Sequence, residues 1–92
     1  MDLWAEYTRS RRPDVREQLI LQYVPVVKYV LGRLALRLPD VVDYEDLLHV
    51  GVVALVECVD RFDPSRGVKF QTFAIPYIRG RIVDHLRAVV GQ

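Results

Sequence analysis

Ninety-two residues, 51% apolar and 27% charged, bound a single small domain with one modest core. One cysteine, Cys58, excludes an internal disulfide and a cysteine-rich metal site. The net charge of +1 is segregated: residues 1–39 carry +3, residues 40–60 carry six acids with no Lys or Arg, and residues 61–92 carry +4. An acidic centre beside a basic end suggests two unlike partners, although a solvated surface with uneven charge would look the same.

The start lacks a basic stretch, an apolar run and a small-residue cleavage site, so no signal peptide is expected. Lys28, Arg33, Glu57 and Asp60 interrupt the apolar stretches, so no membrane span is expected either. A reducing, cytoplasmic setting is the simplest expectation. No segment alternates with a strand's period, and the chain reads as an all-α bundle of about four helices filling residues 1–92 as one domain.

In chain order, a short leading helix falls within residues 1–12, over Leu3 to Arg9, with Asp2 as its N-cap. "SRRPD" breaks it, and Asp14 is the expected cap of a second helix over 14–38 that Pro39 stops. Its apolar residues Leu19, Ile20, Tyr23, Val27, Val30, Leu31 and Leu34 recur at three and four. Pro25 should kink it, because proline lacks the backbone donor. A third helix spans 43–62, with Asp43 as N-cap and Glu45 and Asp46 favourably placed in the first turn. "DPSRG" ends it within the 63–90 segment. The last helix starts near Phe70 to Thr72 and runs to about residue 90, with Pro76 uncomfortable unless it lies in the first turn or at a kink.

On a helical wheel, Ile75, Ile78, Ile82, Leu86 and Val89 form the expected core stripe of the last helix. The opposite side carries Phe70, Phe73, Tyr77, Gly80, Arg81, Asp84 and Arg87. Aromatics at helical spacing are usually core, so these rings fit a second buried cluster. They also fit a platform on which unpaired bases stack while Arg66, Lys69, Arg79 and Arg81 hold phosphates. In the third helix, Leu47, Leu48, Gly51, Leu55, Cys58, Val59 and Phe62 read as core. Asp46, Val50, Val53, Glu57 and Asp60 face away, with His49 and Val56 on the flank. Valines among acids suit docking of a basic partner helix, or equally a second internal contact.

Catalytic constellations are missing from the sequence. The carboxylates of the third helix have no ligand-like His spacing, His49 and His85 stand alone, and no Gly-rich phosphate loop or Ser/His/Asp set occurs. No cofactor or metal is expected, and Cys58 reads as a small buried hydrophobe.

"LWAEYTRS", "REQLILQYVPVVKYVLGRL" and "DYEDLLHVGVVALVECVDRFDPSRGVKFQTFAIPYIRGRIVDHLR" resemble domain 2 (regions 1.2 to 2.4) of bacterial sigma-70-family RNA polymerase sigma factors, closest to the alternative FliA/WhiG type. The resemblance covers nearly the whole chain. It implies a non-enzymatic transcription initiation factor whose third helix docks on the clamp helices of the polymerase β′ subunit. Asp46 matches a contact position, and His49, Val50, Val53 and Val56 lie on the matching face. It further implies that "DPSRGVKF" and the start of the last helix open the promoter −10 element and trap flipped bases of the non-template strand. Phe73 then stacks on a base, and Arg79, Gly80, Arg81, Val83, Asp84 and Arg87 occupy the turns that read the upstream edge and contact phosphates.

The sequence departs from the housekeeping pattern at Pro76 and Tyr77, where a tandem-tryptophan pair is expected, and at Gly80 and Val83, which carry no base-bonding side chain. Weaker melting with greater dependence on promoter sequence is the expectation. The C-terminal helix-turn-helix for the −35 element is not in this sequence, which reads as a fragment of a longer protein. An anti-sigma protein is a further implied partner, with cyclic di-GMP at such an interface in WhiG-like members. Two other readings stay open: a helical protein-interaction module, and a helix-turn-helix binder of duplex DNA, for which a turn followed by aromatics and a proline fits poorly.

Overall fold

The computed structural model describes residues 2–34, 40 and 42–91. Among them the chain forms an all-α bundle: α1 (Leu3–Ser10), α2 (Pro13–Leu34), α3 (Tyr44–Arg61) and α4 (Phe70–Val90), with a short 3₁₀ turn at Pro64–Arg66. The expected end of the second helix at Leu38 and Pro39 lies outside the described residues. No helix among the described residues is long and apolar enough to cross a membrane.

The helix starts follow from local chemistry. Asp2 accepts the Trp4 amide at 3.0 Å, and Asp43 accepts the Glu45 amide at 2.9 Å, each satisfying a donor that the first turn leaves free. Asp14 does not cap α2. Pro13 is already the first helical residue, where its fixed φ fits and its missing N–H costs nothing, so Asp14 falls inside the first turn and pairs with Arg12. Pro25 lies within α2 and Pro76 in the second turn of α4. Each withdraws one donor from the carbonyl four residues earlier, at Leu21 and Thr72, both exposed residues.

α3 is the central helix, packed against α2 on one side and α4 on the other, with α1 against α2. Leu47, Ala54, Leu55, Cys58 and Val59 of α3 meet Leu19, Val27, Val30 and Leu31 of α2 and Phe70, Ala74, Ile78 and Ile82 of α4, all buried. Gly51 permits the α2–α3 approach. A Cβ there would stand 2.5 Å from Cγ1 of Val27, a stiff, buried, β-branched side chain.

The core face of α4 differs from the expected stripe. Ile78 and Ile82 are buried, Ile75 and Leu86 are half-buried, and Val89 is exposed. The buried row is Phe70, Ala74, Ile78 and Ile82, an i, i+4 ridge of the kind that fits a neighbouring helix groove. Phe70, which the wheel left open between a second buried cluster and a base-stacking platform, is a core residue, only 3% exposed, and is not available to stack on a base. Its ring lies 4.4 Å from Tyr23, 5.0 Å from Trp4 and 5.3 Å from Phe62, centroid to centroid, so rings from α1, α2 and the end of α3 converge on it.

Candidate functional site

The turn between α3 and α4 builds the site. Asp63 accepts from the Ser65 amide at 3.0 Å and from the Ser65 hydroxyl at 2.6 Å, which winds Pro64–Arg66 into one tight turn. The Ser65 bonds, and then the Arg66 cation 3.6 Å away, hold the Asp63 carboxyl below the ordinary carboxylate range. Gly67 follows at φ +74°, a left-handed conformation that favours glycine, and turns the chain back to Lys69 and α4.

Between this turn and the facing ends of α3 and α4 lies a half-open cavity of about 540 Å³. Its lining is Cys58, Arg61, Phe62, Asp63, Arg66, Val68, Phe73 and Tyr77. Phe73 is 37% exposed and sits 5.8 Å from the ring of Phe62, which leads back through Phe70 to Trp4. An accessible ring is thus backed by half-buried and buried ones. Cys58 is a buried wall atom whose thiol is pushed up to about 11 by burial and by the neighbouring Glu57 charge, leaving little thiolate near neutrality.

Tyr77 closes the other wall through a polar cluster. Its hydroxyl donates to Glu57 at 3.3 Å and accepts from Arg81 at 3.2 Å and Arg61 at 3.5 Å. Arg81 also forms an ion pair with Glu57 across the α3–α4 interface. The Tyr77 hydroxyl and then Glu57 raise the Arg81 guanidinium above its ordinary pKa.

Of the residues expected to meet DNA, the structure gathers Arg66, Phe73 and Tyr77 around the cavity, with Lys69 exposed at the start of α4. Arg81 stands beside them but is already paired. Arg79, Gly80, Asp84 and Arg87 lie exposed farther along α4, Asp84 and Arg87 within 4.0 Å of each other, and Val83 is half-buried. Arg61, Asp63 and Val68 also line the cavity; Asp63 and Val68 fall within the "DPSRGVKF" loop but were not named as site residues, and no sequence signal marked Arg61.

The expected docking stripe of α3 is divided. Asp46 and His49 are exposed, and Val53 is 40% exposed, whereas Val50 is half-buried against the core and Val56 is half-buried. Glu57 belongs to the cavity wall. Asp60 is turned to the other side, where Arg16 grips both carboxylate oxygens at 2.8 Å and the Tyr7 hydroxyl donates at 2.7 Å. Glu57 and Asp60, expected on the α3 face away from its core, do lie there, but both are engaged within the domain by cations from α4 and α2. Among the described residues, no group of three or more His, Cys, Asp or Glu could hold a metal ion.

Residues 19–89 match the family described as Sigma-70 region 2. The chain is similar to the RNA polymerase sigma-D factor of Bacillus subtilis, 39% identical over 85 residues, 92% of this chain and 34% of that protein. It is also similar to the RNA polymerase sigma factor FliA of Pseudomonas aeruginosa, 37% identical over 81 residues (88% and 33%), and of Salmonella typhimurium, 41% identical over 73 residues (79% and 30%). The chain spans about a third of the length of these curated relatives.

Proposed function

The chain belongs to the sigma-70 region 2 family, and from that premise we propose that it is the part of a bacterial transcription initiation factor that captures unpaired promoter bases and docks on RNA polymerase. It performs no chemistry of its own; the polymerase does. The observation that carries this reading is the cavity: about 540 Å³, half open, with apolar walls from Phe62, Val68, Phe73 and Tyr77 and a rim bearing Arg61 and Arg66. A flipped nucleobase needs a pocket of this kind, with a π-face to stack on and cations at the edge for the backbone that carries it. Opening a duplex costs stacking energy, and a base held on Phe73 offsets part of that cost. Bases of the non-template strand of the −10 element are the substrate this reading assigns. The exposed face with Arg79 and Arg87 is left to duplex phosphates upstream.

This reading is tested with a short single-stranded oligodeoxynucleotide of randomised sequence and its duplex form. The single strand should bind more tightly. Phe73→Ala should weaken it by about five- to a hundredfold, the loss of one base–aromatic stack. Preference for duplex, with no effect of Phe73→Ala, would favour a duplex-reading domain instead.

Docking falls to the part of the α3 face that remains free: Asp46, His49 and Val53, with Val50 and Val56 at its edges. An exposed valine beside an acid suits a basic, partly apolar helix such as those of the β′ clamp. Val53→Asp should weaken binding to isolated β′ clamp helices by about tenfold or more while leaving helicity intact, because it places a charge at the centre of the contact. Unchanged binding would move the contact elsewhere. An anti-sigma protein would have these same two faces to cover.

A further inference from the structure

Glu57 lies on α3, the helix proposed above to dock on polymerase, yet all of its polar contacts among the described residues run to α4. One carboxylate oxygen holds Arg81 and the other accepts from the Tyr77 hydroxyl. The Tyr77 hydroxyl is a hub, joined to Glu57, Arg81 and Arg61, with both guanidinium groups also beside the ring, 6.0 and 5.8 Å from its centre. That ring lines the cavity beside Phe73, one turn away on the same face of α4. Glu57 and Arg81 are both only partly covered, with side chains 29% and 41% exposed, so the cluster is open to competition from solvent and from phosphate.

We infer that Glu57 is a positioning residue for base capture: with Arg81 it braces the Tyr77 ring as a fixed wall of the pocket and keeps Arg81 off the nucleic-acid backbone. The inference rests on the reading of the cavity as a base pocket. Three properties follow from it. Without Glu57, Tyr77 keeps its ring but loses the acceptor that orients its hydroxyl, so the wall gains freedom that a bound base must remove again. Arg81 is released at the same time and becomes an additional cation for phosphate. Discrimination for a base therefore falls while non-specific attraction to the backbone rises, two changes of opposite sign from one substitution.

The test compares wild type, Glu57→Gln and Tyr77→Phe, each binding a short single-stranded oligodeoxynucleotide and an abasic strand of equal length across a salt series. Glu57→Gln preserves size and removes the charge; Tyr77→Phe preserves the ring and removes the hub. Wild type should prefer the strand with bases. In Tyr77→Phe that preference should fall about two- to tenfold, the worth of one or two hydrogen bonds; in Glu57→Gln, whose amide oxygen still accepts but whose charge no longer holds Arg81, it should fall measurably but by less. In Glu57→Gln the slope of log affinity against log salt should also steepen by about 0.7, the release of counterions at one added phosphate contact on a single strand. A purely structural role would lower the melting temperature and weaken both strands alike, with no change in preference or slope, and that result would overturn the inference. Equal binding of based and abasic strands by wild type would overturn the base-pocket reading and the brace with it. A wild-type preference that survives both substitutions would overturn the brace alone.

Discussion

Two carboxylates three residues apart on α3 are held by the same pair of partners, an arginine and a tyrosine, to different ends. Asp60 receives both nitrogens of the Arg16 fork at 2.8 Å and the hydroxyl of Tyr7, a tyrosine only 5% exposed, so α1, α2 and α3 are fastened at one point. Arg11 adds a bond to the Asp60 carbonyl at 3.3 Å and lies 4.7 Å over the Tyr7 ring. Glu57 is held by one nitrogen of Arg81 and a longer 3.3 Å bond from Tyr77, beside an open cavity. A planar two-point grip on a short side chain, backed by a buried ring, is a structural fastening. A single-nitrogen grip on a longer, partly exposed side chain at the rim of a cavity is a lighter brace. The same three residue types thus make a joint on one side of α3 and a lighter brace, beside the cavity, on the other.

The largest expected effect is on the joint. Asp60→Ala removes the shared acceptor of Arg16 and Tyr7 and should cost about 2 kcal/mol in chemical denaturation followed by helix content, the value of charge-assisted hydrogen bonds at a partly covered site. Glu57→Ala should cost less than about 1 kcal/mol, since its pair with Arg81 is partly exposed and screened. Equal costs would break the distinction. A larger cost at Glu57 would reverse it and make the cavity wall the more structural of the two.

That division was not legible in the sequence, and the reason is physical. Asp2 and Asp43 were readable as caps because a cap acts on amides two residues away. The four-helix architecture was readable because apolar spacing and breaks are local too. Helical phase also put Glu57 and Asp60 correctly on the side of α3 away from Leu55 and Cys58. What it cannot carry is the reach of a long cation on another helix: Arg16 is 44 residues from Asp60, Tyr7 is 53, and Arg81 is 24 from Glu57. The choice between core and platform for Phe70 stayed open for the same reason. A wheel of α4 alone cannot know that Trp4, Tyr23 and Phe62 meet above its first turn, and their rings decide that Phe70 is core while Phe73, three residues on, remains accessible. Local periodicity found the aromatic face; tertiary packing chose which ring on it is available.

A smaller effect, confined to acid, sharpens the comparison from the Asp60 side. Asp60 is the penultimate residue of α3, where the helix dipole disfavours an anion. The hydrogen bonds from Arg16 and then Tyr7, with the charges of Arg16 and Arg11, nevertheless hold its carboxyl below the ordinary value. A carboxyl whose folded pKa is depressed contributes stability that is complete above the unfolded pKa, about 3.9, and is lost as pH falls through the folded value. The stability difference between wild type and Asp60→Asn should therefore stay constant from neutral pH down to about 5 and shrink only below about 4. Subtracting the variant removes the contributions of Asp14 and Asp63, whose carboxyls are also held low. A difference that shrinks already near pH 6 would mean that Asp60 is not ionised in its grip with Arg16, and the joint would owe its strength to Tyr7 and packing rather than to charge.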